Sequence, residues 1–545
     1  MEHKLKRISL CWLISIIIIT SFIITSVILA EAKTSHLIEV LDNGSNIVVN
    51  TGAGLVYTID KKNGDMTSCK LNGTELNSQK KKSQINSGLG VSNVTWSKFS
   101  SNTEVLITVK QAALTHYYAS RSKDNTIYMA TYISKEPSDG LLRYIFRGNG
   151  NVLTNVPAES NNKGAVGLEG RPDVFIHLDK TITSKYYGND QAKDLSIRGC
   201  TGKGVGVFMA YGSRETSIGG PFFRDIQFQS GDDTEIYNVM NHAEGKTEPF
   251  RMGLYGPYAL CFTTGSKPSI PDFNWMSSLK LQGWVSNRGS VEIKGLSGMD
   301  RRYKYMYSFS NDTAQYWNDT STTGYGKCDN MKPGIYTMLV YKGELAVYKD
   351  TVKVEPYKTT SLNSLTITKD PSNIPVIWRI GNWDGTPLEF LNGKNISKMH
   401  PSDIRNSSWG PVIYTIGSDA ENEFPAAQFS AANNPTTINF NLTSDQAKEA
   451  HSLNIGITTA YSSGRPDVTI NGNKLPSKSP STEPSSRTLT VGTYRGNNTT
   501  FTWKIPASYF KTGKNTITIA SIGGKAALST YLSPAYSYDC IELAE

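Results

Sequence analysis

Four side chains in this sequence have the types and neighbours to move protons on an acidic molecule or to hold it: a lysine, a histidine and two arginines. Lys185 stands in Thr183-Ser184-Lys185-Tyr186-Tyr187, a lysine followed by two aromatic rings. An ε-amine takes up a proton only after losing its own, a state that burial or neighbouring cations favour. His242, in Asn241-His242-Ala243-Glu244-Gly245, carries an imidazole that gives or takes a proton near neutrality. Arg143 and Arg147, in Leu142-Arg143-Tyr144-Ile145-Phe146-Arg147, share one face of an extended segment by their even spacing. A planar guanidinium suits two-point capture of a carboxylate. Each has a plainer reading: a solvated lysine at a strand end, an exposed loop histidine, arginines on a surface strand. Tyr186 and Tyr187 offer an apolar wall for a ligand, or simply packing. Asp232-Asp233 would suit a glycosidase, but adjacent carboxylates are common and their separation from others is not written in the sequence. GxSxG, HExxH, P-loop and Rossmann glycine patterns do not occur in a supporting context.

The segment that must hold His242 runs from Gly219 to Tyr258. Two apolar stretches with Gly-Pro turns at either end frame a polar insert, the pattern of two strands and a functional loop. Loops carried by a rigid sheet are where binding and catalytic groups concentrate. From Ser35 to about Thr264 the chain is short alternating segments broken by Gly, Asn and Asp, such as Leu55 to Asp60 and Thr126 to Tyr132. That predicts a large catalytic β-sandwich over residues 33–266. Ser266 to Pro271 reads as a joint. Residues 271–355 then read as an immunoglobulin-like or fibronectin-type module, with strands that include Leu281 to Val285. After a second joint, Pro356 to Pro375, residues 375–545 read as a jelly roll, an architecture frequent among sugar-binding domains. One short helix is predicted over Gln446 to Ala450, capped near Thr443-Ser444-Asp445. The fold class is all-β.

With 545 residues the chain exceeds what one hydrophobic core organises, and several domains are expected. Residues 1–32 read as a signal peptide: Lys4, Lys6 and Arg7, an apolar run from Ile8 to Leu29, then Ala30-Glu31-Ala32 as the cleavage site. The apolar run is also long enough for a retained anchor. With cleavage, the body is secreted, extracellular and free of the membrane. Beyond Cys11 the cysteines are Cys69, Cys200, Cys261, Cys328 and Cys540, an odd and scattered set with no CxxC knuckle. Cys200 and Cys261 are one pair that could bridge. The net charge of +9 suits an anionic partner such as an acidic polysaccharide. Nucleic acid is not expected, because the basic residues are dispersed and no recognition module is visible.

Several blocks together resemble the family 4 polysaccharide lyases, the rhamnogalacturonan (rhamnogalacturonate) lyases. They are Gly219 to Ile226, Tyr237 to His242, Thr247 to Gly253, Gly256-Pro257-Tyr258, Lys332 to Thr337 with Tyr341 to Glu344, Trp378 to Pro387, and Met399 to Asp403. The resemblance spans nearly the whole mature chain. It implies a large galactose-mutarotase-like β-sandwich, a fibronectin-III-like module and a carbohydrate-binding-like jelly roll. It also implies cleavage of the rhamnogalacturonan I backbone of pectin by β-elimination at galacturonate. In that scheme Lys185 is the base, His242 the acid and Arg143 the carboxylate partner. Tyr186, Tyr187 and, from the third domain, Arg465 would contact substrate. A second supporting lysine falls on Lys193 or Lys203. No metal is implied for the chemistry, although a structural Ca²⁺ on surface carboxylates is compatible with it, and the enzyme is expected to act as a monomer. Two readings stand against this one: a non-catalytic pectin-binding protein, and a glycoside hydrolase on the same scaffold.

Overall fold

The computed structural model describes residues 37–169, 173–242, 248–481, 487–492, 498–524 and 529–545. The predicted signal segment, 1–32, lies outside the described residues. The regular secondary structure of the described chain is almost entirely β-strand, in three successive units.

Alternation builds the first unit. In the strand Leu55–Asp60, Leu55, Tyr57 and Ile59 are buried while the residues between them are not, the period-two signature of a sheet with one face in the core. A seven-stranded antiparallel sheet runs from Ile197–Gly202 at one edge to Asn93–Phe99 at the other. Two smaller sheets complete the sandwich, and one apolar cluster, from Ile38 to Phe262, fills the space among them. The sheet that carries Arg143 and leads to His242 has the order Phe228–Ser230, Thr234–Asn241, Leu142–Gly148, Gln84–Ile85. Its strand Leu142–Gly148 turns Leu142, Tyr144 and Phe146 into the main core. Arg143, Ile145 and Arg147 therefore face the other way, opposite Val239, Tyr237 and Glu235 of the neighbouring strand.

That outer face is covered. A three-stranded sheet, Val166–Gly167, Val174–Ile176 and Ile182–Ser184, lays Val174, Ile182, Tyr186 and Tyr187 on Ile145, Ile226, Tyr237 and Val239, with Val491 added from the third unit. Burying large apolar side chains in this way stabilises by roughly 1.5–3 kcal/mol each. It also brings the chain that carries Lys185 against the sheet that carries Arg143.

The first unit reaches past the predicted joint at Ser266 to Pro271. Met276, Leu279 and Leu281 pack on the outer side of the seven-stranded sheet with Leu106, Tyr117 and Tyr128. Leu281 to Val285, predicted as a strand, is a turn and irregular chain, because Leu281 serves this packing instead. The second unit sets the sheet Gln315–Asp319, Tyr305–Ser310, Gly334–Lys342, Leu345–Val354 against shorter strands around its own core. The third closes two five-stranded sheets over a core from Trp378 to Leu543. The helix predicted over Gln446 to Ala450 is a single 3₁₀ turn, Gln446–Lys448. A helical turn not read from the sequence, Thr488–Val491, is wholly buried.

The five cysteines of the described chain are unbridged and buried. Cys200 and Cys261 flank the strand Val205–Ala210 on either side. Two strand spacings, about 9.6 Å, exceed the reach of a disulfide, and the two thiols point into different cores.

Candidate active site

Lys185 follows directly on the strand Ile182–Ser184, whose position is fixed by the third unit. Ile182 N donates to Asp403 Oδ2 at 2.7 Å, and Ser184 Oγ donates to Val491 O at 3.2 Å. The Lys185 ammonium lies 2.9 Å from Asp173 Oδ1, with 18% of its side chain exposed. Burial or neighbouring cations would favour loss of its proton; the neighbour found is a carboxylate.

His242 is one residue beyond the strand Thr234–Asn241, and its side chain is also 18% exposed. Its Nδ1 is 2.8 Å from Oδ2 of Asp225, a residue only 5% exposed. An ionised carboxylate only accepts, so Nδ1 carries the proton in this contact. Asp225 Oδ1 is held in turn by the amide of Ile226 at 2.6 Å. The side-chain amide of Asn189 donates to Lys185 O at 3.0 Å and to Asp225 O at 2.7 Å. One amide group thus ties the lysine segment to the aspartate that holds the histidine.

Arg143 stands on the same outer face, its guanidinium 5.7 Å from the centre of the Tyr237 ring. Its Nε is buried and has no hydrogen-bond partner among the described residues. The bulge between Leu142 and Arg143 breaks register beside Asn241, next to His242; bulges often re-aim side chains in this way. Arg147 is spent on structure, donating to Glu235 Oε1 at 3.0 Å and to Lys82 O at 2.9 Å. The structure therefore gathers Lys185, His242 and Arg143 on one side of the first sandwich.

The two tyrosines do not offer a platform for a sugar. Tyr187 is 1% exposed and Tyr186 5%; the Tyr187 hydroxyl donates to Thr490 O at 2.5 Å. Both are packing residues between the first and third units, because the covering sheet needs apolar bulk there. Arg465 is likewise not gathered with the others: its hydrogen bonds go to Lys478 O and Ser463 O in its own unit. The third-unit arginine that crosses to the first is Arg487, paired with Glu169. His400 Nε2 reaches the same carboxylate at 3.0 Å. Burial alone would raise the Glu169 carboxyl, but His400 and Arg487 outweigh it and hold it below the usual glutamate range. Glu169 also adopts a left-handed backbone at φ +59°, a conformation that costs energy for a side-chain-bearing residue. The Met399 to Asp403 block carried the resemblance but no site role in the sequence; His400 and Asp403 from it bond Glu169 and Ile182, in the segment leading to Lys185.

Of the two lysines considered as a second helper, Lys193 pairs with Asp194 at 2.7 Å and Lys203 sits exposed at a hairpin tip. Asp233 is buried and accepts from Ser78 Oγ at 2.6 Å, a turn anchor rather than half of a carboxylate pair. Much of the Gly219 to Gly253 block is scaffold. Arg251, 2% exposed, donates to Ser217 O, to Asn311 O of the second unit and to Glu248, whose carboxylate accepts from Gly219 N. Residues 243–247, part of the predicted loop after His242, lie outside the described residues. Among the described residues no group of three or more His, Cys, Asp or Glu is placed to hold a metal ion.

Residues 39–283 match the family model described as rhamnogalacturonan lyase B, N-terminal. Residues 286–362 match polysaccharide lyase family 4, domain II, and residues 376–543 match domain III of the same family. The chain belongs to polysaccharide lyase family 4, the rhamnogalacturonan lyases. Among similar proteins, a probable rhamnogalacturonate lyase A of Aspergillus fumigatus is 39% identical over 504 residues, covering 91% of this chain and 94% of its own. Rhamnogalacturonate lyase A of Emericella nidulans is 38% identical over 531 residues, covering 96% and 99%. That of Aspergillus aculeatus is 38% identical over 521 residues, covering 94% and 97%.

Proposed function

We propose that the protein is a secreted enzyme that cleaves the rhamnogalacturonan I backbone of pectin by β-elimination at galacturonate. The observation that carries this reading is an amine and an imidazole tied together through Asn189 and Asp225, with the Arg143 guanidinium on the outer face of the adjoining strand. The C5 proton of a uronate becomes removable when its carboxylate charge is balanced, because the charge that develops on that group is then stabilised. Arg143, with a donor to spare, takes that carboxylate. Lys185 removes the C5 proton. The electron pair forms the C4–C5 double bond, the C4–O4 bond breaks, and His242 delivers a proton to the departing oxygen from Nε2. No water is consumed. An amine that is to take a proton must first lose its own, so the Asp173 contact opens in the productive complex. Arg143 neutralises the carboxylate without a metal, and any Ca²⁺ has a structural role. The leader pattern in residues 1–32 supports secretion.

Digestion of rhamnogalacturonan followed by ultraviolet absorbance tests the reaction type, since only elimination leaves an unsaturated uronate. A rise in absorbance with chain cleavage is expected. Cleavage without absorbance would mean hydrolysis, and binding without cleavage would leave a carbohydrate-binding protein.

A further inference from the structure

We propose that Asp225 and Asn189 are positioning residues that set the working state and the spacing of the two proton-transfer groups, an inference that rests on the reading above. Asp225 is almost fully buried, yet one of its oxygens is committed to a backbone amide and the other to the His242 ring. Its carboxylate keeps the proton on Nδ1, assigns the transferred proton to Nε2, and stabilises the imidazolium that a general acid must be. Other charged groups bear on the same pair. Arg143 comes from the adjoining strand. Lys185 is linked through Asn189. Arg214 donates to Asn238 Oδ1 and Val239 O beneath the histidine strand, and its charge interacts with Asp225. Arg224, the residue before Asp225, interacts instead with the buried Glu344. Among the described residues, Asp225 is a carboxylate in direct contact with the ring.

Asn189 acts on spacing. Its two hydrogen bonds join the backbone carbonyls of Lys185 and Asp225, so the amine and the imidazole are referred to one rigid point. Misplacement of reacting groups by an ångström is enough to cost orders of magnitude in rate.

The test uses the full-length enzyme on rhamnogalacturonan, with Asp225→Asn, Asn189→Ala, His242→Gln and the double variant Asp225→Asn/His242→Gln. Asp225→Asn should lower kcat by about 100-fold, the lower end of the range for acid–base catalysis. It should also move the alkaline limb of the kcat/KM profile to lower pH, because the imidazolium loses its carboxylate. On the His242→Gln background the same substitution should change kcat by less than about twofold, since residues that act as a unit are not additive. Asn189→Ala should lower kcat about tenfold with KM nearly unchanged. An unshifted profile in Asp225→Asn, or a full further loss on the His242→Gln background, would overturn the positioning role. Full activity in His242→Gln would instead remove the underlying mechanism. Should Asp225→Asn unfold, Asp225→Glu supplies the same readout: a recovered alkaline limb supports the role, and a profile without that limb opposes it.

Discussion

Two buried glutamates join this molecule's units by the same device, and only one of the junctions touches the chemistry. Glu215 of the first unit pairs with Arg288 at 2.7 Å and Lys332 at 3.1 Å, and accepts from Tyr316 at 2.7 Å, all from the second unit or its approach. Glu169 pairs with His400 and Arg487 of the third. In both, burial alone would raise the carboxyl, and the cationic partners outweigh it and hold the group below its ordinary range. The second unit is thereby fixed to a loop that delivers no proton-transfer group, although its Arg214 braces the strand that leads to His242. The third is fixed to the small sheet that delivers Lys185, with Asp403, Val491 and Thr490 adding hydrogen bonds to the same segment. The difference teaches that the third unit helps build the candidate site whether or not it ever contacts a sugar.

Lys185→Ala should give the largest effect: kcat falls on the order of 10³-fold, within the range for an acid–base group, while oligosaccharide binding by calorimetry persists. Normal turnover would remove the proposed base. The comparison itself is broken or kept by Glu169→Gln and Glu215→Gln. Each leaves buried cations without their anion and should destabilise by about 3 kcal/mol, read as a fall of several degrees in Tm. Only Glu169→Gln should also lower kcat, by about tenfold, through misplacement of Lys185. Equal kcat losses in both would erase the distinction drawn here.

Acid should reveal both junctions. Each glutamate has its folded value held below the ordinary 4.5, so its contribution is complete above that value and is lost as pH falls through the folded one. Unfolding temperature should therefore drop below about pH 4.5 in the natural protein, with a smaller drop in either Gln variant when compared with its own neutral value. Tyr187→Phe should give the smallest effect, about 1 kcal/mol for the lost hydrogen bond to Thr490 O, with kcat changed by about twofold or less; a large kcat loss would return Tyr187 to the substrate.

The all-β class was legible because alternation survives in nearly every strand, as in Leu55 to Asp60. Even spacing likewise placed Arg143 and Arg147 on one face. What the spacing could not say was that Arg147 is consumed by Glu235 and Lys82 while Arg143 keeps a donor. Tyr186 and Tyr187 misled for a physical reason: an aromatic beside a catalytic lysine looks the same in sequence whether its ring meets sugar or a neighbouring domain. Arg465 misled because Gly464-Arg465-Pro466 gives no hint of the carbonyls that satisfy it, whereas Arg487 sits in a short buried turn with little pattern of its own. Asp225 was part of a block singled out for resemblance, and only three-dimensional contact shows that its partner is His242, 17 residues away.

The most direct measurement is a crystal structure of the Lys185→Ala variant with a rhamnogalacturonan oligosaccharide bound. It should show a galacturonate carboxylate on Arg143, the C5 hydrogen pointing to the space the amine would fill, and His242 Nε2 within hydrogen-bond distance of the O4 bridge. A galacturonate bound with His242 and position 185 on the same side of a remote ring, or an oligosaccharide held on another face altogether, would contradict the elimination mechanism.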